Sequence, residues 1–147
     1  MPNLLHDPAV RDSIRARVQK LSPGSTRAWG KMTVDQMLWH CNEALEAALG
    51  RKTLTPMKLP LPKGVIKFMV LSMPWMKGAP THPDFFAGER QDFDTEKARA
   101  LRLIDEFTGR RLDATDWGPA SFGILTGAEN SRLHAKHLDH HLKQFSV

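Results

Sequence analysis

Four stretches of the chain repeat apolar residues every three or four positions, the period of a helix that buries one face. The first runs from Asp7 to Leu21, with Val10, Ile14, Val18 and Leu21 in register. Pro8 suits its first turn, where a missing N–H breaks no helical bond, and Ser22-Pro23-Gly24 stops it. The second starts at Thr33, where Thr33-x-x-Gln36 reads as a capping box, and runs through Leu49 to a terminating Gly50. The third starts near Asp94 as N-cap and carries Ala98, Leu101, Ile104 and Phe107 before Gly109. The fourth starts at Thr126, where Thr126-x-x-Glu129 repeats the capping box, and runs to about Phe145.

Between the second and third helices, Arg51 to Gln91 is punctuated by Pro56, Pro60, Pro62, Pro74, Pro80 and Pro83. Within it Val65 to Met73 (VIKFMVLSM) is apolar enough for a short helix packed on the body or for a buried strand. A forty-residue excursion in a small domain carries either function or structure of its own. The expected class is all-α: one domain over 1–147, a four-helix bundle whose long crossover contains a short extra helix.

Composition sharpens this in three ways. The 147 residues are 41% hydrophobic, enough for one core. The single cysteine excludes an internal disulfide framework. No stretch reaches the ~20 apolar residues of a membrane span, and MPNLLHDPAV lacks the basic and apolar regions of a secretory signal. A cytoplasmic protein is expected.

The formal net charge is +5. No acidic residue occurs between Glu46 and Asp84, whereas Arg51, Lys52, Lys58, Lys63, Lys67 and Lys77 do. The rest of the chain sums to −1, so the excess belongs to the crossover and argues against a nucleic-acid-binding surface. GVIKFMVLSMPWMK mixes lysines with Phe68, Trp75 and methionines. It reads foremost as a lid over the helices, with peripheral binding of an anionic ligand or membrane through 51–77 as the alternative. Trp29, Trp39 and Trp117 read as core or interface fillers.

Five of seven histidines fall in two helices. Taking Leu133 as zero, His137 lies near ~40°, His141 near ~80° and Gln144 near ~20° around the fourth helix. An i, i+4 histidine pair is the spacing with which one helix clamps a metal through two imidazoles. A third ligand must come from elsewhere. His40, at the edge of the apolar arc of the second helix and beside Ala44 and Ala47, is the candidate. Three neutral imidazoles and an open position describe a catalytic site for a divalent ion, zinc or nickel first, with iron or copper admitted. His134 and His140 read as lining or packing residues, Cys41 as a small core residue, and Glu43 and Glu46 as polar-face residues. His6 and His82 carry no assignment.

GKMTVDQMLWHCNEAL (Gly30 to Leu45) and FGILTGAENSRLHAKHLDHHLKQF (Phe122 to Phe145) together resemble the DinB-like superfamily, most of all a bacterial branch classed as a domain of unknown function. That family pairs one histidine of the second helix with an H-x-x-x-H-x-x-Q element in the last, positions filled here by His40, His137, His141 and Gln144. The resemblance implies a four-helix bundle holding a divalent metal on the three histidines, with Gln144 orienting a ligand. It also implies a thiol-transferase-like activity on a low-molecular-weight thiol, and a homodimer. This chain has HLKQ where many relatives carry HRGQ, a departure that bears on the substrate. The competing reading is a non-catalytic small-molecule or stress-response binding module.

Overall fold

The computed structural model describes residues 3–78 and 82–147. Pro80, counted above among the crossover breakers, lies outside them. The described residues are all-helical: α1 (Pro8–Lys20), α2 (Val34–Ala48), α3 (Lys63–Ser72), α4 (Phe93–Gly109) and α5 (Gly127–Gln144), with a single 3-10 turn at Pro83–Phe85. No strand forms among them beyond one isolated bridge, Ala120 to Gly123. None of these helices is long and apolar enough to cross a membrane.

Caps set the boundaries as the local chemistry dictates. Asp7 accepts a hydrogen bond from the backbone N–H of Ala9 and puts Pro8 at the first helical position. At α5 the box closes both ways: Thr126 Oγ1 accepts from Glu129 N, and Glu129 Oε1 accepts from Thr126 N. At α2 the backbone N–H of Thr33 donates to Gln36 Oε1 at 3.0 Å. Gly50 ends α2 with φ +81°, donating to Ala47 O while Arg51 N reaches back to Glu46 O.

The N-cap of α4 is Asp92 rather than Asp94. Asp92 Oδ2 accepts from both the N–H and the hydroxyl of Thr95, so the helix begins two residues earlier and Asp94 sits in its first turn, facing the positive end of the dipole. The apolar run in the crossover is a helix, α3, and not a strand: it satisfies its own backbone, which a lone strand beside helices could not.

α1 packs on α4 and α5, and α2 also packs on α4 and α5, so each of these four long helices lies against two others. Their apolar faces share one core, centred on Leu45, Leu103, Ile104 and Phe107, all at 0–2% exposure, and closed at one end by Phe145. α3 packs on α5 through Leu71 and leaves Val65, Phe68, Met69 and Met73 exposed.

The two ends of the crossover are stitched to α2 by polar contacts. Lys52 Nζ donates to Glu43 and to the carbonyl of Asp84, both at 2.7 Å, while Asp84 takes the N–H and hydroxyl of Thr55. Asp35, almost fully buried, accepts from the Arg90 guanidinium and from Gln91 N. Arg90 and that N–H hold its carboxyl down near 2 against the cost of burial. Glu43 is thus no solvated surface residue: it lies between Lys52 and Arg99, half-buried. Arg51, Lys52 and Lys67 each pair with an acid carried on a helix (Glu46 and Glu106, Glu43, Glu129), so half of the crossover's excess charge ties it to the core.

Candidate metal centre

Helix geometry delivers three imidazoles to one point. His137 and His141, one turn apart on α5, face His40 on α2 where those helices pack. One ring nitrogen from each lies within 4.8 Å of the others, and ring centroids are 4.7–4.8 Å apart. Two of the three are buried, His40 at 4% and His141 at 8% exposure, and His137 is partly buried. It consists of histidines alone, with no carboxylate or thiol joining it among the described residues.

Hydrogen bonds outside the triad decide which nitrogens face inward. The carbonyl of Phe85 can only accept, so the 2.7 Å contact from His40 Nδ1 places the proton there and leaves His40 Nε2 as a lone pair. At His141 a two-step relay does the same. Gln144 Nε2 donates to the carbonyl of Trp29 at 2.9 Å, which turns Gln144 Oε1 toward His141 Nδ1 at 2.8 Å. His141 Nδ1 is therefore protonated and its Nε2 is free to ligate. His137 Nε2 meets His40 Nε2 at 2.7 Å, donating a proton to that lone pair.

This donor set suits a divalent ion. Nitrogens bound to one tetrahedral metal lie about 3.3 Å apart, between the 2.7 Å of the closest pair and the 4.8 Å limit of the group. A ligating histidine ordinarily donates its outer N–H to a carbonyl, carboxylate or water, and here two of three already do. Electrostatics agree. Burial lowers His40, lowers His141 to about 3 and drives His137 well below the ordinary histidine value, with the neighbouring imidazoles adding to each shift. Neutral imidazole is the form that binds metal.

Around the triad stand two indoles: Trp75, from the segment read as a lid, and Trp29, read as a core or interface filler. Trp75, just after α3, packs 5.7 Å from both His137 and His140, and Trp29 packs 5.7 Å from His140. Trp29 is thus part of the site's rim rather than of the core. Trp117 does pack in the core, against Phe107. Trp75 is fixed by its Nε1 donating to Val70 O, and Lys136 Nζ holds the same strand of backbone through Val70 O and Met73 O.

The remaining histidines divide by role. His134 is buried against Phe107, and its Nδ1 has no partner among the described residues. His6, which the sequence left without a role, bonds Ser131 Oγ and the carbonyl of Arg110, pinning the N-terminal segment to α5. His82 caps the 3-10 turn that presents Phe85. Cys41 is buried beside Met37, and burial pushes its thiol far up, so it supplies no nucleophile.

Sequence reasoning reached His40, His137, His141 and Gln144 but not Phe85, Trp29 or Gly30. The first two act through backbone carbonyls, which leave no side-chain signature. Gly30 carries a signal only in retrospect: its φ is +81°, and a Cβ there would lie 2.6 Å from Gln144 Nε2.

A scan against protein-family models matches none, and searches of curated proteins and of solved structures return no match.

Proposed function

We propose that this chain is a metal-dependent enzyme of the DinB-like type, in which α1, α2, α4 and α5 form the four-helix bundle and His40, His137 and His141 hold a divalent ion, zinc or nickel. The observation that carries the reading is the pair of outer hydrogen bonds, His40 Nδ1 to Phe85 and His141 Nδ1 to Gln144, which commit both Nε2 atoms to the interior of the triad. A single core histidine would also pair its outer N–H; what marks this site is that the inner nitrogens of three such rings converge within 4.8 Å of one another.

His40, His137 and His141 would hold such an ion and leave one coordination position open, where it would supply Lewis-acid activation of a thiol or a water. We take the thiol rather than water, as the resemblance to DinB-like proteins implies. Hydrolytic helical zinc sites set a carboxylate beside the ligands as general base, whereas the group here is histidine only. A thiol starts near pKa 8.5 and needs no such base. Trp75 packs on His137, and Trp29 packs on the neighbouring His140, which puts apolar rings on one side of the triad. A transfer of a low-molecular-weight thiol follows as the reaction class, and a small molecule as the substrate.

Elemental analysis of protein produced with zinc and nickel supplied tests the reading: about one ion per chain is expected. A cobalt-substituted sample should show tetrahedral visible absorption that changes when a small thiol is added. Protein that remains metal-free with ions in excess overturns it.

A further inference from the structure

Lys77 Nζ lies 4.6 Å over the ring of Trp29, whose edge meets His140, and His140 in turn sits 5.1 Å from His141. Trp75 also packs on His140, at 5.7 Å. These four residues therefore form a rim stepping outward from the triad: imidazole, two indoles, ammonium. Neither Lys77 nor His140 has a hydrogen-bond or ion-pair partner among the described residues. Of the lysines on α5, Lys136 donates to two carbonyls and Lys143 pairs with Asp139. The chain from residue 47 to 83 supplies no acid to neutralise Lys77.

We propose that this rim binds an anionic group on the substrate, a carboxylate or an equivalent oxyanion, with Lys77 as its counter-charge and Trp29 and Trp75 as the walls that hold the intervening apolar portion. The proposal rests on the three-histidine site being where the substrate reacts, and it adds the class of that substrate: a small molecule with a negative charge several bonds from its reacting atom. Two indoles and an ammonium that rests on one of them without an acidic partner are a combination that recognises such a molecule, apolar contact giving affinity and the charge giving orientation. The ammonium acts as a point charge on a flexible stem, so it tolerates the choice among oxyanions.

The test uses two probes of equal length, 6-mercaptohexanoate and 6-mercaptohexanol, titrated into zinc-loaded protein by calorimetry. The carboxylate is expected to bind about five- to tenfold more tightly at low salt, a preference that shrinks as ionic strength rises. In Lys77→Ala the ratio of the two affinities should fall to about one, and in Lys77→Glu it should invert. Lys58→Ala, which removes an equal charge from the same crossover, should keep the wild-type ratio. Equal affinities in the wild type, or a preference that survives in Lys77→Glu, overturn the proposal while leaving the metal site standing. Should neither thiol bind, the thiol-transfer reading falls, and the rim is judged by mass spectrometry of Lys77 acetylation. Protection by hexanoate and not by hexanol supports the anion contact, and the absence of protection ends it.

Discussion

His40 Nε2 and His137 Nε2 face each other at 2.7 Å across the α2–α5 interface. Two imidazolium ions cannot occupy that geometry, and a neutral pair can do so only with one nitrogen protonated and the other bare. The contact is an N–H···N bond poised to be exchanged for two bonds to one ion.

The first prediction concerns that exchange. His137→Ala or His40→Ala should abolish stoichiometric zinc binding while the far-UV spectrum stays helical. In the wild type, zinc at a hundred times its dissociation constant should add about 2.7 kcal/mol to stability, seen as a rise in Tm that a chelator reverses. A wild-type Tm indifferent to both zinc and chelator would refute the metal site.

A second prediction follows from the relay Trp29–Gln144–His141. Gly30→Ala forces a left-handed residue to carry a side chain and drives its Cβ into Gln144 Nε2. Zinc affinity should fall about 10- to 100-fold in Gly30→Ala and in Gln144→Ala alike, as for other lost outer partners of metal ligands. A competition titration against a chromophoric chelator measures it. Gly78→Ala, with open space around its Cβ, is the control for a backbone effect alone.

The third is a pH dependence of metal-free stability. Burial lowers His134 from 6.5 to about 4 and His141 to about 3. Unfolding returns them to ordinary values, so between these limits the unfolded chain binds more protons than the folded one, and stability rises with pH there. The contribution is complete above about pH 6.5 and is lost progressively toward pH 4 and below. His134 alone accounts for on the order of 3 kcal/mol. Urea midpoints should fall steeply between pH 7 and 5, and less steeply in His134→Leu.

Fourth, Cys41 should be silent in the native state. Its burial and raised thiol pKa leave almost no accessible thiolate. Reaction with a disulfide reagent at pH 8 should proceed only as fast as the chain opens, and at full rate in denaturant. Immediate modification of folded protein would contradict the packing of α2.

Much of this molecule is local and therefore readable from the chain. The helices of α1, α2 and α5 begin and end where Asp7, Thr33, Gly50 and Thr126 place them, because caps act over three or four residues. The pairing of His137 with His141 follows from helical pitch alone, and the inward edge of α2 already carried His40. The boundary of α4 was misread because Asp92 and Asp94 are both competent caps, and the choice between them depends on where Thr95 can turn.

What the tertiary structure alone decided is the setting of those histidines. That the far end of the crossover returns to α2 through Lys52, Asp84 and Asp35, and that this return puts the carbonyl of Phe85 on His40, are consequences of pairings more than thirty residues apart. The same holds for the carbonyl of Trp29, which reaches Gln144 across 115 positions. Side-chain period reports which face of a helix is buried. It cannot report which distant backbone group will satisfy a buried nitrogen, because any residue type can supply a carbonyl and only packing chooses among them.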